Sequence, residues 1–165
     1  MSNSDTLPLS ENDIGEPGVI EANRLHQPQG MAPMTVLRFF NDLLVSLLDR
    51  GPLTKQYTLR SEIGSNHVYE LALDGRVVSV LHPGVNSPLA VGFVAEAIAA
   101  GISTFVACGG AGALDPRFDM GHVMVVESTV RDEGTSMHYV RPSRVIDTQS
   151  LRVHSLHDVL DQWVI

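Results

Sequence analysis

The chain has 165 residues, 44% of them hydrophobic, which suffices for one compact domain with a real core and is short for two. Eleven Lys+Arg against nineteen Asp+Glu give a net charge of -8 with no basic block, so the electrostatic footprint of a nucleic-acid partner is missing. The single cysteine, Cys108, leaves no internal disulfide to form and lies in an apolar, glycine-rich run, which points to a buried thiol in a reducing compartment, the cytoplasm.

Residues 1–32 carry Pro8, Pro17, Pro28 and Pro33 close by, without a sustained period, and read as an arm or irregular lead-in. Met1 to Asn12 has neither a basic region nor an apolar one, so it is not expected to be a secretory signal. From Met34 to Phe40 the residues are β-branched and aromatic, as in a strand. Asn41 then opens a helix over Asp42 to Leu48, ended by Gly51-Pro52. His67 to Leu73 and Arg76 to Leu81 are strand-like runs joined by Asp74-Gly75, a strong hairpin signal that predicts antiparallel pairing. Leu89 to Ala100 has the alanine content and apolar spacing of a helix, with Ser87 placed to cap it and Pro88 at its first position.

Ile102 to Cys108 reads as a buried strand, Gly109-Gly-Ala-Gly112 as a tight loop, and Val123 to Val130 as a further strand. Strand, helix and strand in that order imply a parallel unit with a right-handed crossover, hence an α/β class with a mixed sheet. Ser155 to Val164 has the pattern of a short helix capped by Ser155, whereas Val145 to Val153 shows no clean period. The longest apolar stretch, Leu89 to Leu114, is interrupted by Glu96 and five glycines, while a membrane span needs about 20 continuous apolar residues. No membrane partner is expected.

Three polar or glycine-rich segments follow expected strands. Gly109-Gly-Ala-Gly112 would let backbone N–H groups approach an anion, although a tight turn packing small residues explains the composition equally well. Dinucleotide and P-loop fingerprints both require a helix directly after the glycines, and Leu114-Asp-Pro116 breaks the chain there. Pro83 to Pro88 ends at a helix N-terminus, a natural anion site, or is an ordinary strand-to-helix connection. Arg131, Asp132, Glu133 and His138 form the densest polar cluster and are candidates for a substrate pocket, or a solvated turn. Asp132, Ser136 and His138 lack the Gly-x-Ser-x-Gly elbow of a hydrolase. His82, His122, His154 and His157 share no metal-ligand spacing, so no metal is expected.

Four strings occur in a familiar order: Val78-Ser-Val-Leu-His-Pro-Gly-Val-Asn-Ser-Pro-Leu-Ala90, Thr104-Phe-Val-Ala-Cys-Gly-Gly-Ala-Gly-Ala-Leu114, Gly121-His-Val-Met-Val-Val126 and Arg131-Asp-Glu-Gly-Thr-Ser136. Together they resemble the nucleoside phosphorylase family, in particular its uridine-phosphorylase-like bacterial members, over residues 33–143.

The resemblance implies a phosphorylase/hydrolase-like mixed sheet flanked by helices, assembled as a homo-oligomer with shared active sites. It also implies reversible cleavage of a nucleoside by inorganic phosphate to a free base and ribose 1-phosphate, with no other cofactor. By position, Gly109, Gly110 and Ala111 match the family's phosphate turn and Gly84 the glycine of the preceding loop. Asn41 lies where another substrate loop follows the first strand.

The arginine that the family places just before the glycine turn is Ala107 here. No arginine matches in Phe39-Phe-Asn-Asp42, and the one lent by a neighbouring subunit falls near Gly64. Arg38 and Arg60 are close by in sequence. Residues 144–165 diverge from the family, and no Met-Glu-rich ribose segment follows Ser143, so the fold is expected to be incomplete at its C-terminal end. Water in place of phosphate, or binding of a nucleoside, phosphate or a full-length relative without turnover, are the alternatives that these departures raise.

Overall fold

Asp74 and Gly75 both adopt positive φ, 48° and 76°, the pairing that a two-residue hairpin turn demands. The computed structural model describes residues 14–25 and 30–162. Pro8, Pro28 and the first twelve residues singled out above lie outside them. Pro17 to Ala111 forms one compact unit, and Gly112 onward, with residues 14–16, forms a second.

The first unit holds helix α1 (Ala22–Leu25), strand β1 (Met34–Arg38), helix α2 (Asn41–Asp49), strands β2 (Leu53–Ser61), β3 (Gly64–Leu73) and β4 (Arg76–Leu81), helix α3 (Ser87–Ala99) and strand β5 (Thr104–Cys108). Its five strands stand in the order β2-β3-β4-β1-β5. Pairing is antiparallel from β2 to β4 and parallel from β4 through β1 to β5, so the sheet is mixed as expected. β4 and β5 were expected to be neighbours joined by α3. Instead β1 lies between them, hydrogen-bonded to both.

On one face of the sheet, Leu37, Leu59, Val68 and Leu81 pack with Phe93 and Ala97 of α3 and with Ile102, and these side chains form the core. The alternation of strand residues puts Leu37, Val68 and Leu81 on the same face by register. Helix α3 is held at its start by Asn86, whose side chain accepts from the Leu89 amide at 3.1 Å, with a proline in its first turn. The cap is therefore Asn86, one residue before the expected Ser87. α2 begins at Asn41 itself, and Phe40 occupies the cap position without a side-chain acceptor.

Two strands differ from expectation. β2 pairs with β3 over its whole length through a register shift between Lys55 and Tyr57. That irregularity breaks the alternation by which a strand is read from sequence. Conversely, the apolar run from Val123 is a strand only over β6 (Ser128–Val130), which pairs antiparallel with β7 (Val145–Asp147) in a separate two-stranded sheet of the second unit. Val123, Met124 and Val126 are exposed and join no ladder, so β-propensity without a partner strand was insufficient. A 3-10 turn (Thr135–His138) and helix α4 (Ser150–Leu160) complete this unit. α4 starts five residues before the expected cap at Ser155.

Candidate functional site

The three parallel strands β4, β1 and β5 end at one rim of the first unit, where ligands of open α/β sheets bind. Three segments emerge there: Pro83 to Asn86 after β4, Phe39–Phe40 after β1, and Gly109 to Ala111 after β5. The last two are in contact. The Phe39 amide donates to the Cys108 carbonyl at 3.0 Å. A Cβ placed on Gly109 would stand 3.2 Å from Phe39 Cβ, and one on Gly110 3.6 Å from Phe40 Cε1. Gly109, Gly110 and Ala111 are exposed at this rim.

Gly84 sits with φ +84°, and its amide donates to His82 Nδ1 at 3.0 Å. The amide expected to meet an anion is therefore engaged by an imidazole. That geometry requires the neutral His82 ring to carry its proton on Nε2, leaving a donor on the other side. The loop is further tied by Asn66 Nδ2, which donates to the His82 carbonyl at 2.6 Å.

Between the rim and the β2–β3 hairpin lies a cleft of about 460 Å³, a volume in the range that holds small ligands. Asn41 and Leu44 of α2, His67 and Tyr69 of β3, His82 and Phe93 are among its walls, as is Gly84. Of the residues expected to contact substrate, the structure thus brings Asn41 and Gly84 to one cavity. Gly64, which opens β3, lines it too.

A feature not visible in the sequence runs across the sheet. Thr58 pairs with His67, and Arg38 with Cys108. Because Val68 pairs with Leu81 and Leu81 with Leu37, the next step along each strand aligns His67, His82 and Arg38. Each of the five strands, or its immediate end, thereby contributes one polar side chain at the same level: Thr58, His67, His82, Arg38 and Cys108. Residues in register share a face, and this row is on the face opposite the Leu37–Leu81–Val68 core. Thr58 Oγ1 and His67 Nδ1 are hydrogen-bonded at 3.0 Å, and the His67 and Tyr69 rings meet edge to face at 6.1 Å. Five strands supply the row, its members most distant in sequence, Arg38 and Cys108, lying towards opposite ends of the unit's chain, so only the register could reveal it.

Arg38 is 1% exposed. Its Nη1 donates to the Phe40 carbonyl, two residues beyond the strand end, so the guanidinium curls forward over the rim. Nε and Nη2 have no hydrogen-bond partner. Burial pulls the Arg38 guanidinium below its ordinary value, partly offset by Cys108 and Tyr69, whose negative forms favour the cation. Arg60, by contrast, is exposed on β2 opposite Ser65. Cys108 is exposed, which corrects the buried thiol expected from its apolar surroundings: β5 is the last strand of the sheet and its C-terminal end is uncovered.

The polar cluster after β6 belongs to the second unit. Arg131 is buried there and every nitrogen of its fork donates: Nε to Ser136 Oγ at 2.8 Å, Nη1 to the Arg141 carbonyl at 2.7 Å and to Ser143 Oγ at 3.1 Å, and Nη2 to the Val140 carbonyl at 3.1 Å. The Glu133 carboxylate accepts from the Ser136 amide at 3.0 Å and from the Ser136 hydroxyl. The Ser136 hydroxyl and then its amide hold the Glu133 carboxyl below its ordinary value. Asp132 and His138 are exposed. Among the described residues, no three His, Cys, Asp or Glu side chains cluster as metal ligands, and no helix is long and apolar enough to cross a membrane.

The family model described as the phosphorylase superfamily matches residues 42–157. A uridine phosphorylase of Salmonella typhimurium is 37% identical over 67 residues, covering 41% of this chain and 26% of that protein. A guanosine phosphorylase of Halorubrum lacusprofundi is 30% identical over 80 residues, 47% of this chain and 33% of that protein. Among solved structures, a uridine phosphorylase from Vibrio fischeri superposes with a TM-score of 0.70 at 18% identity, covering 82% of this chain and 56% of that one. A purine nucleoside phosphorylase from Toxoplasma gondii, in complex with immucillin-H, gives a TM-score of 0.68 at 14% identity, covering 82% and 54%. The aligned part is thus a quarter to a third of the curated relatives and just over half of the solved chains.

Proposed function

Because the chain belongs to the phosphorylase superfamily, we propose that it takes part in reversible phosphorolysis of a nucleoside to free base and ribose 1-phosphate, within nucleoside salvage. The observation that carries the reading is the common rim of β4, β1 and β5, where the Gly109–Ala111 turn and the Gly84 loop emerge beside a 460 Å³ cleft. Inorganic phosphate is the co-substrate in this reading, with no other cofactor. A phosphate oxygen bonds to the ribose C1′ as the bond from C1′ to the base nitrogen breaks, and the base leaves with the electron pair. The sugar passes through an oxocarbenium-like state, so an anion fixed close to C1′ stabilises the transition state more than the ground state.

In this reading, the Gly109, Gly110 and Ala111 backbone meets the phosphate. The Gly84 amide joins it once His82 turns aside, and Asn41 faces the nucleoside from the cleft. Of Arg131, Asp132, Glu133 and His138, the exposed Asp132, Glu133 and His138 are kept as substrate-pocket candidates, since every nitrogen of the buried Arg131 fork already donates within its own unit. Association with further copies of the chain and a cytoplasmic location belong to the same proposal. Neither nucleic acid nor membrane is a partner in it.

One observation favours a second reading, hydrolysis by water. Ala107 stands where the family has an arginine, and the Gly84 amide is occupied by His82, so the glycine loops offer an anion one cation and one amide fewer. The test is release of free base from uridine, inosine, adenosine and methylthioadenosine, with and without phosphate, followed by chromatography. Phosphate-dependent release is the expected result. Release independent of phosphate supports the hydrolytic reading, and none from a folded sample rejects both in favour of binding without turnover.

A further inference from the structure

We propose that Arg38 is the cation that holds the oxyanion co-substrate, an inference that rests on the phosphorolysis reading and names the residue through which it works. A guanidinium buried to 1% exposure is ordinarily paired with a carboxylate or hydrogen-bonded at every nitrogen, because desolvated charge without partners is costly. Arg38 has neither. Among the described residues it makes no ion pair, and Nε and Nη2 donate to nothing.

Those two nitrogens are neighbours on one edge of the planar group, the edge that grips two oxygens of a carboxylate or phosphate side by side. Nη1, on the opposite edge, is fixed by the Phe40 carbonyl. The fork is thus anchored on one side and left, buried, without a hydrogen-bond partner on the other.

Its place in the fold favours an anion. The guanidinium leaves the last residue of the central parallel strand, beside Cys108, the residue before the glycine turn. Phe39 and Phe40 connect it to that turn, their side chains lying against Gly109 and Gly110. Across the sheet its row contains a hydroxyl, two imidazoles and a thiol but no carboxylate to neutralise it. Tyr69, within electrostatic reach of Arg38, and His82, its neighbour in the row, both line the cleft proposed for the nucleoside, so an anion taken up by the unpartnered edge would lie close to it.

Arg38 is not a positional copy of the arginine that the family carries at the place of Ala107. Ala107 pairs with Leu37 and shares its face, whereas Arg38 sits one strand over and on the other face. The charge has been re-supplied from β1.

The test uses the full chain and inorganic phosphate, read by calorimetric titration and by the 15N–1H resonance of the Arg38 side-chain Nε. Expected are a phosphate-dependent shift of that resonance, at least a tenfold loss of phosphate affinity in Arg38→Met, and unchanged affinity in Arg60→Met, whose side chain is exposed. Without phosphate, Arg38→Met should melt no lower than the unmodified chain, since an uncompensated buried charge has been removed.

Unchanged affinity in Arg38→Met, with or without a lower melting temperature, overturns the proposal and leaves Arg38 a purely structural role. So does a still Nε resonance in a chain that binds phosphate, a readout that holds even where the methionine variant does not fold, and so does absence of phosphate binding. Failure of the wider reading looks different: there phosphate binds through Arg38 but no nucleoside releases base.

Discussion

At the rim, two glycines that look alike in sequence have opposite physical standing. Gly84 has φ +84°, and a Cβ there would lie 2.4 Å from Leu89 Cδ2. Gly84→Ala therefore costs about 1–2 kcal/mol from the backbone alone, plus displacement of a cleft-lining side chain, and thermal unfolding should show the loss. Gly110 carries no such φ, and its Cβ would make ordinary contact with Phe40 Cε1 at 3.6 Å. Gly110→Val should then leave the melting temperature nearly unchanged while abolishing phosphate binding, because a β-branched side chain covers the turn's amides. Retained affinity in a folded Gly110→Val protein removes the turn from the site. The glycine motif was legible in the sequence because residue type and position after a strand sufficed to mark it. Arg38 was not, because a guanidinium's burial and its unpartnered nitrogens depend on what the rest of the chain places around it.

Helix α3 owes its start to a strained residue. Asn86 caps it from φ 80°, ψ 157°, a region that side-chain-bearing residues rarely occupy. Asn86→Ala loses the cap and keeps the strain, and should destabilise by about 1–2 kcal/mol; Asn86→Gly loses the cap and relieves the strain, and should cost less. Equal losses, measured by denaturant unfolding, would show that the φ angle is immaterial.

In the second unit the Glu133–Ser136 contact closes the 3-10 turn. Since the carboxyl is held below its ordinary value of 4.5, the contact's contribution is complete at neutral pH and fades as pH falls through that depressed value. The Ser136 amide resonance should therefore titrate below pH 4.5 in the unmodified protein. In Glu133→Gln it should be flat. Arg131→Met, which leaves the Val140 and Arg141 carbonyls without their donor, should raise hydrogen exchange across β6 and β7. Elements with a local cause, such as the Asp74–Gly75 hairpin and α3, were readable from sequence. β2 was hidden by its irregular register near Gln56, and the run from Val123 was over-read because only a partner strand makes such residues a ladder.

At the scale of the chain, β5 has one edge without a partner strand, and Leu114, Met120, Val123, Met124 and Val126 are exposed in the second unit; unpaired edges and apolar side chains of this kind are what association covers. Sedimentation velocity should find species larger than a monomer, and a Met120→Lys, Val123→Lys double variant should shift the distribution downward. A monomer in both samples would mean that this surface is tolerated in water.

The strand order has a kinetic meaning as well. β1 is the earliest strand in the chain, yet both its neighbours come later, and the Pro33 carbonyl finds its donors at Ser103 and Thr104, 70 residues downstream for Ser103. On a ribosome, β2, β3 and β4 can form their local meander while β1 waits with both edges unpaired; it is enclosed only once β5 has been made. Long-range closure of this kind is slow. Because Arg38 and the Phe39–Phe40 link sit on or directly after that strand, the rim proposed to hold the anion is assembled only after β5 has joined the sheet.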